Sequence, residues 1–246
     1  MPTAIITGAS RGLGLALADA LADRGWRLVI DGRDGVALEQ AAARLRGRTD
    51  VVALAGDVAD PWHRSALVEA AHDDAGEAHA GDERAGRGRI DLLVNNASRL
   101  GPSPQPALAA YPLDELERVY RVNVIAPLAL AQLALPRLAP AGRVVNVTSD
   151  AAVEPYPGWG GYGASKAALE HASRILAVER PDLRVLAVDP GDMRTEMHQD
   201  AFPGDDISDR PEPETRVPAL LRLIEGDLPS GRYEANAFVA AGPRQP

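Results

Sequence analysis

Short apolar runs alternate with stretches of helical periodicity along almost the whole sequence. The runs lie at residues 3–7, 27–31, 51–55, 90–94, 144–148, 184–188 and 236–240. Helical patterns cover the residues after 14 as far as 24, residues 35–46, and a stretch that starts at residue 60. Further helical patterns cover residues 113–138, 162–178 and 217–225. This alternation predicts an α/β fold with a doubly wound parallel sheet of about seven strands and helices on both faces. Ligands of such sheets bind beyond the carboxyl ends of the strands.

Composition restricts the class of protein. A chain of 246 residues with 46% hydrophobic residues is suited to one large domain, so we expect a single domain over residues 1–246. The absence of cysteine excludes disulfides and zinc–cysteine sites, and a net charge of −9 argues against nucleic-acid binding. No uninterrupted apolar run reaches the ~18 residues of a membrane span, so a cytoplasmic protein is expected. The acidic residues 73–83 and the basic segment 84–89 are interpreted as a solvated loop.

A glycine-rich turn joins the first predicted strand to the first helix. Gly8, Gly12 and Gly14 follow the strand in the pattern G-x-x-x-G-x-G, which differs from the commoner G-x-G-x-x-G. Glycine lets the backbone approach a phosphate closely, and a helix N-terminus offers free N–H groups. The turn therefore predicts a phosphate site, with tight packing as the alternative.

Polar residues follow other strands at the same predicted edge. Asp57-Val58, Asn95-Asn96-Ala97 and Asp189-Pro190-Gly191 each follow an apolar run. Asn123 interrupts an apolar helical stretch and would either satisfy neighbouring backbone or hold a water. Each signal alone fits a plain turn, but together they predict one crevice.

Tyr162 and Lys166 are four residues apart on a predicted helix and so share one face. A neighbouring ammonium group is expected to lower the pKa of the phenol and permit proton transfer near neutral pH. Ser149, at the end of the preceding strand, is placed to hold a carbonyl oxygen. Lys166 is the only lysine, and the other 25 basic residues are arginine. The alternative is an amphipathic helix with a surface tyrosine.

Over residues 3–195 the sequence resembles the short-chain dehydrogenase/reductase family, which has a Rossmann-like fold. The resemblance implies that Asn123, Ser149, Tyr162 and Lys166 form the catalytic tetrad. It also implies a nicotinamide cofactor. The expected cofactor-binding residues are Gly8, Ser10, Arg11, Gly12, Leu13, Gly14, Arg33, Asp57, Val58, Asn95, Ala97, Tyr162, Lys166, Pro190, Gly191 and Thr195.

The activity implied by the resemblance is hydride transfer between the cofactor and a small carbonyl or secondary alcohol substrate. Tyr162 would give or take the proton, and Asn123 would organise a relay water. A non-catalytic protein that senses the dinucleotide is the alternative, although it would not need the whole tetrad. A nucleotide-dependent transferase is disfavoured because the glycine turn lacks the Gly-Lys-Ser/Thr end of a P-loop.

The sequence departs from the family pattern in two places. Ser98 stands where glycine usually follows Asn-Asn-Ala, which puts close backbone approach in doubt. The chain ends in residues 240–246 instead of the usual Asp-Gly-Gly close, a segment that packs against another subunit in the family. A homodimer is therefore expected, and a tetramer is left open.

The residues after the second strand predict a preference for NADP(H), with NAD(H) possible. Gly32 occupies the position of the acid that would bind the ribose hydroxyl of NAD, and Arg33 and Arg11 are placed to bind the 2′-phosphate of NADP. Asp31 would repel that phosphate if the strand ended one residue earlier.

The substrate is not identifiable from the sequence, but two features bear on its site. The candidate pocket residues form an apolar set that would equally suit core packing: Leu100, Tyr156, Trp159, Met193, Met197 and Phe202. Residues 192–214 are rich in proline and aspartate and are predicted to be a mobile substrate lid.

Overall fold

One parallel sheet forms the centre of the molecule in the computed structural model, which describes residues 1–72 and 88–239. Its strand order is β3-β2-β1-β4-β5-β6-β7, so the order reverses between β1 and β4. The strands are β1 (Thr3–Ile6), β2 (Arg27–Gly32), β3 (Val51–Ala55), β4 (Ile90–Asn95), β5 (Leu138–Val147), β6 (Arg184–Asp189) and β7 (Gly231–Glu234). The predicted doubly wound, Rossmann-like sheet is confirmed.

All but the last described helix lie between strands along the chain, and side chains cap the starts of some of them. They are α1 (Gly12–Ala22), α2 (Gly35–Arg46), α3 (Pro61–His72), α4 (Leu113–Tyr120), α5 (Ala126–Ala134), α6 (Gly160–Glu179), α7 (Glu196–Ala201), α8 (Val217–Glu225) and α9 (Ala235–Val239). The Asp34 carboxylate caps α2 by accepting from the N–H groups of Val36 and Ala37. Asp60 caps α3 in the same way, with Pro61 at the first helical position.

Alternation along the strands builds two hydrophobic cores. Ala4 and Ile6 of β1 face the core that contains α1, α2 and α8, whereas Ile5 faces the core that contains α3 and α5. All three side chains are fully buried. Because both faces are covered, the strands other than β7 consist largely of apolar residues. Polar residues are thereby concentrated at the strand ends.

The predicted helix at 113–138 is divided in the middle. A π-helical turn, Arg121–Ile125, separates α4 from α5, and a 3₁₀ turn, Leu135–Arg137, follows α5. Asn123 lies at the centre of the π turn and is fully buried. Among the described residues, the stretch Leu113–Arg137 is the one helical segment long and apolar enough to span a membrane by length and composition. Its residues Leu130 and Ala131 are part of the second core.

The prediction of a strand at 236–240 is wrong for its described residues. The last strand of the described residues is β7, which pairs with β6 and begins five residues before the predicted strand, and residues 235–239 form α9. Asn236 accepts a hydrogen bond from Arg216. The segment 192–214, predicted as a loop, contains the short helix α7. Of the predicted solvated loop, residues 73–87 lie outside the described residues.

Candidate active site

A cleft of about 950 Å³ lies at the carboxyl edge of the sheet. It brings together most of the predicted residues: Gly8, Ser10, Arg11, Gly12, Leu13, Arg33, Asp57, Val58, Ala97, Ser149, Tyr162, Lys166, Pro190, Gly191 and Thr195. Gly14, Asn95 and Asn123 do not line the cleft and lie behind its wall. One concave site therefore combines a candidate phosphate cradle with candidate acid–base groups.

The glycine turn places the start of α1 at the cleft. Gly8 and Gly12 have φ values of +66° and +57°, which favour glycine. At Gly14 an added Cβ would lie 2.5 Å from the Gly8 carbonyl oxygen, so the turn packs against its own helix. No side chain in the described part of the chain caps α1, which leaves N–H groups of its first turn available to an anion.

The residues at the end of β2 decide which charge faces the cleft. Asp31 is buried, with one carboxylate oxygen 2.6 Å from the Gly8 nitrogen and the other 3.1 Å from His63 Nε2. Its carboxylate therefore braces the glycine turn. Arg33 is exposed and has no hydrogen-bond or ion-pair partner among the described residues, whereas Arg11 is paired with Glu196 at the start of α7.

The two asparagines after β4 brace neighbouring segments. Asn95 donates to Asn146 Oδ1 across β4 and β5 at 2.7 Å, so its side chain does not face the cleft as a cofactor contact would. Asn96 donates to the carbonyl oxygens of Thr7 and Gly8 at 2.9 and 3.0 Å. Buried amides need such partners, and here the partners fix the loop that carries Ala97 into the cleft wall.

The side-chain amide of Asn123 is fully used by protein groups. Its Oδ1 accepts from Ser98 Oγ at 3.2 Å and from the Arg99 nitrogen at 2.8 Å. Its Nδ2 donates to the Arg99 carbonyl and to Ser165 Oγ, each at 2.9 Å. These four bonds use both acceptor sites and both N–H donors of the carboxamide, so this side chain has no free group for the predicted relay water. The side chain thus satisfies neighbouring protein groups, and a relay water organised by Asn123 stays a prediction.

Lys166 is deeply buried beside Tyr162. Its Nζ donates to the Val147 carbonyl oxygen at 2.8 Å and lies 5.5 Å from the centroid of the Tyr162 ring. Only 2% of the residue is exposed, and burial lowers the pKa of its ammonium group to about 8. Lys166 therefore still carries its charge at neutral pH.

The predicted lowering of the Tyr162 pKa by Lys166 is not found in this structure. Burial raises the pKa of the phenol to about 12, and the neighbouring hydroxyls of Ser98 and Ser149 oppose this rise. The negative charges of Asp189 and Asp150 also raise the pKa. Desolvation exceeds the influence of the ammonium group because Lys166 is directed to a backbone carbonyl.

Asp150, which the sequence reasoning missed, holds the hydroxyl of Ser149. Ser149 Oγ donates to Asp150 Oδ1 at 2.8 Å, and Tyr156 donates to the other carboxylate oxygen at 3.0 Å. Before Ser149 can donate to a substrate oxygen, its proton must leave this carboxylate. The sequence did contain one signal for this contact, because an acidic residue directly follows the candidate serine.

A charged network supports the strand ends from behind. Arg232 of β7 contacts Glu170 of α6 and Asp189 at the end of β6, each at 3.1 Å. Glu170 also accepts from the Thr148 hydroxyl at 2.8 Å. Burial raises the pKa of Asp189, and the Arg232 charge opposes that rise. No local sequence pattern links Arg232 to residues that lie more than 40 positions away.

Four of the six predicted pocket residues line the cleft: Leu100, Trp159, Met193 and Met197. Tyr156 and Phe202 do not, although both pack against Trp159, with ring centroids 6.5 and 5.9 Å away. The cleft wall near Tyr162 is thus largely apolar and aromatic.

Comparisons with known proteins agree with this geometry. A sequence profile described as short chain dehydrogenase matches residues 2–206. Sepiapterin reductase of Xenopus laevis is 34% identical over 96% of the chain and 88% of its own length. Benzil reductase ((S)-benzoin forming) of Saccharomyces cerevisiae is 33% identical over 80% of the chain and 73% of its own. A solved structure from Shigella flexneri, complexed with NADP, superposes with a TM-score of 0.82 at 26% identity, covering 96% of this chain and 97% of that one.

The buried lysine predicts a pH dependence of stability. Between a folded-state pKa of about 8 and the ordinary value of 10.5, the unfolded chain binds a proton that the folded chain has released. Stability contributed by this site therefore rises with pH through this window, by about 3 kcal/mol for a shift of this size. Relative to Lys166→Met, the wild type should gain stability from about pH 7 to about pH 10 in urea unfolding.

Arg174→Met, which removes an exposed cation from the same helix, is the control and should track the wild type. Parallel pH profiles of wild type and Lys166→Met would contradict the assignment of a strained, buried ammonium group.

Proposed function

Because the chain belongs to the short chain dehydrogenase family of oxidoreductases, we propose that it transfers hydride between NADP(H) and a small carbonyl or secondary alcohol compound. Tyr162 acts as the general acid in reduction and as the general base in oxidation. The observation that carries the proposal is the convergence of Ser149, Tyr162 and Lys166 on the cleft that the glycine turn also lines.

A bound nicotinamide would supply or accept the hydride at the substrate carbon. The residues of the chain would handle the substrate oxygen. Tyr162 passes its proton to this oxygen during reduction. The Ser149 hydroxyl shifts its hydrogen bond from Asp150 to the same oxygen. Lys166 keeps a positive charge behind the phenol, which favours the phenolate left after proton transfer.

The cofactor end of the cleft supports a preference for NADP(H). Gly32 carries no acid, and an added Cβ there would lie 3.0 Å from Ser10 Oγ. Arg33 is free to pair with a 2′-phosphate, since it has no partner among the described residues. The carboxylate of Asp31 is engaged by Gly8 and His63, so it does not oppose that phosphate. A structural relative is complexed with NADP.

The substrate end of the cleft supports a compound with an apolar substituent. Leu100, Trp159 and Met197 lie near Tyr162 and form an apolar surface for such a substituent. Reduction of a carbonyl group is favoured because the two relatives described above are named as reductases.

We also propose a cytoplasmic homodimer, for which the exposed side chains of Ile175 and Val178 on α6 provide an apolar surface. A sensor without chemistry remains the rival, and cofactor turnover with a panel of ketones and aldehydes separates the two.

Lys166→Arg should lower turnover at least ~100-fold although it keeps a positive charge. A guanidinium is too large for the buried position and cannot reproduce a point charge there. The measurement is kcat with the purified, folded variant, and Arg174→Lys on the same helix is the reciprocal control. Near-normal turnover of Lys166→Arg would overturn the tetrad assignment.

Arg33→Ala should lower kcat/KM for NADP(H) by about 10- to 100-fold and leave that for NAD(H) within about threefold, because one charge-assisted contact to the phosphate is lost. Arg174→Ala is the matched control for removal of an exposed arginine. A wild type that prefers NAD(H), or unchanged use of NADP(H) by Arg33→Ala, would refute the cofactor assignment.

We propose that residues 192–214 form a lid over the cleft. Contacts of the segment include the exposed Arg11–Glu196 pair, a hydrogen bond from Ser103 Oγ to the Asp200 carbonyl oxygen at 2.6 Å, and packing of Phe202 against Trp159. An exposed ion pair contributes little. A phosphate that binds Arg11 would compete with Glu196 for its guanidinium group. Cofactor binding and the position of the lid therefore both depend on Arg11.

Amides of α7 should exchange with deuterium several-fold more slowly when NADP(H) is bound, because the ordered lid then packs on a ligand. Hydrogen-exchange mass spectrometry measures this, with α8 as the internal reference. Equal protection of α7 with and without cofactor would show that the segment is not a lid.

A further inference from the structure

The carboxylate of Asp150 lies beside the hydroxyl that we assign to the substrate oxygen. Asp150 begins the 3₁₀ turn Asp150–Ala152 after β5 and lines the cleft. Its Oδ1 accepts from Ser149 Oγ and from the Ala151 nitrogen, each at 2.8 Å, and its Oδ2 accepts from the Tyr156 hydroxyl at 3.0 Å. A carboxylate has about four acceptor sites, so one site on Oδ2 stays open to a ligand.

Asp150 is an acid of the cleft wall that has no cationic partner among the described residues. The three groups that donate to it are neutral. By contrast, Asp192 lies 3.5 Å from Arg210, and Arg99 of the same cleft is held by Glu115 at 2.8 Å. A carboxylate without a counter-ion attracts a cation more strongly than one that is already paired. The chain thus leaves a negative charge available beside the candidate serine.

Aromatic rings continue the wall next to this carboxylate. Tyr156, which donates to Asp150, packs edge-on against Trp159 with ring centroids 6.5 Å apart. Trp159 packs in turn against Tyr162 at 5.7 Å, and both of these residues line the cleft. Aromatic faces attract cations and also bury apolar groups. A carboxylate next to such rings matches a ligand that joins an ammonium group to an apolar frame.

The contact between Asp150 and Ser149 indicates where on a substrate the ammonium group belongs. A substrate oxygen that accepts from Ser149 Oγ would lie about 2.8 Å from it, and therefore within about 5.6 Å of Asp150 Oδ1. An amino group on the carbon next to the reacting carbon fits within this distance. It would donate to the carboxylate while the neighbouring oxygen accepts from the serine.

We propose that Asp150 binds an ammonium group of the substrate, so that the protein acts on amino carbonyl compounds and the corresponding vicinal amino alcohols. This inference rests on the proposed function and names its substrate class. The bound ammonium group replaces the Ser149 hydroxyl as a partner of the carboxylate. The serine proton then turns to the substrate oxygen, where negative charge develops during reduction.

The kinetic test compares two alcohols that differ by an ammonium group in place of a methyl group, 2-amino-1-phenylethanol and 1-phenylpropan-1-ol. With NADP⁺ and the full chain, kcat/KM should be about 10- to 100-fold higher for the amino alcohol, because it makes a hydrogen bond between two charged groups. Asp150→Asn keeps the shape of the side chain and should remove this preference. Its kcat/KM should fall for the amino alcohol and rise for 1-phenylpropan-1-ol, because no charge then holds the Ser149 hydroxyl.

Glu154→Gln is the matched control, since it removes an exposed carboxylate that does not line the cleft, and it should keep the wild-type preference. A purely structural role of Asp150 would lower kcat/KM for both alcohols by the same factor in Asp150→Asn. That result, or a wild type that prefers 1-phenylpropan-1-ol, would overturn the inference.

A second measurement does not need turnover. 2-Phenylethylamine carries the ammonium group but no hydroxyl, and its binding to the full chain can be followed by titration calorimetry. The Kd should be at least about tenfold higher for Asp150→Asn than for the wild type and for Glu154→Gln. Equal binding by all three proteins, or no binding to the wild type, refutes the role of Asp150. Failure of the wild type to turn over any alcohol or carbonyl refutes the proposed function instead.

Discussion

Burial of a single ammonium group beside a phenol is the constraint on which the rest of the site depends. Among the described residues, Lys166 makes one direct hydrogen bond, to the end of β5, so that strand end and α6 must meet closely. The sequence permits this through glycine. A Cβ at Gly163 would lie 2.5 Å from the Ala151 carbonyl oxygen, and one at Gly161 would lie 2.4 Å from the Tyr111 ring. Larger residues at either position would lift the helix and separate the ammonium group from its acceptor.

The π-helical turn at Asn123 has a comparable local cause. An asparagine in an apolar helix must find partners, and the wider turn directs its amide towards the loop after β4. Single π turns inside α-helices are frequent at functional sites. Here the turn ties α4–α5 to Arg99 on one side and to Ser165 of α6 on the other. Three chain segments are thereby fixed relative to Tyr162 before any ligand enters.

The parts that could be predicted from the sequence are those governed by local pattern. Strand ends and glycine spacing place Gly8, Ser149 and Tyr162 at one sheet edge, because parallel strands share that edge. The direction of the Tyr162 pKa shift could not be predicted, since it depends on burial, a property of the whole fold. The supporting contact of Arg232 with Asp189 joins distant parts of the chain. The apolar residues at 236–240 led to a wrong position for the last predicted strand, because the segment that pairs with β6 is Gly231–Glu234.

Net charge and local charge point in opposite directions in this protein. A chain of net charge −9 repels an anionic cofactor at long range, and screening confines that repulsion to about 10 Å at moderate salt. Within that distance, the charged side chains at the cofactor end of the cleft differ in whether they already have a partner. The carboxylate of Asp31 is taken by the Gly8 nitrogen and His63, whereas Arg33 has no partner among the described residues. Affinity for an anion is therefore decided by which side chains are already paired, and the overall sign of the charge affects chiefly how fast an anion arrives.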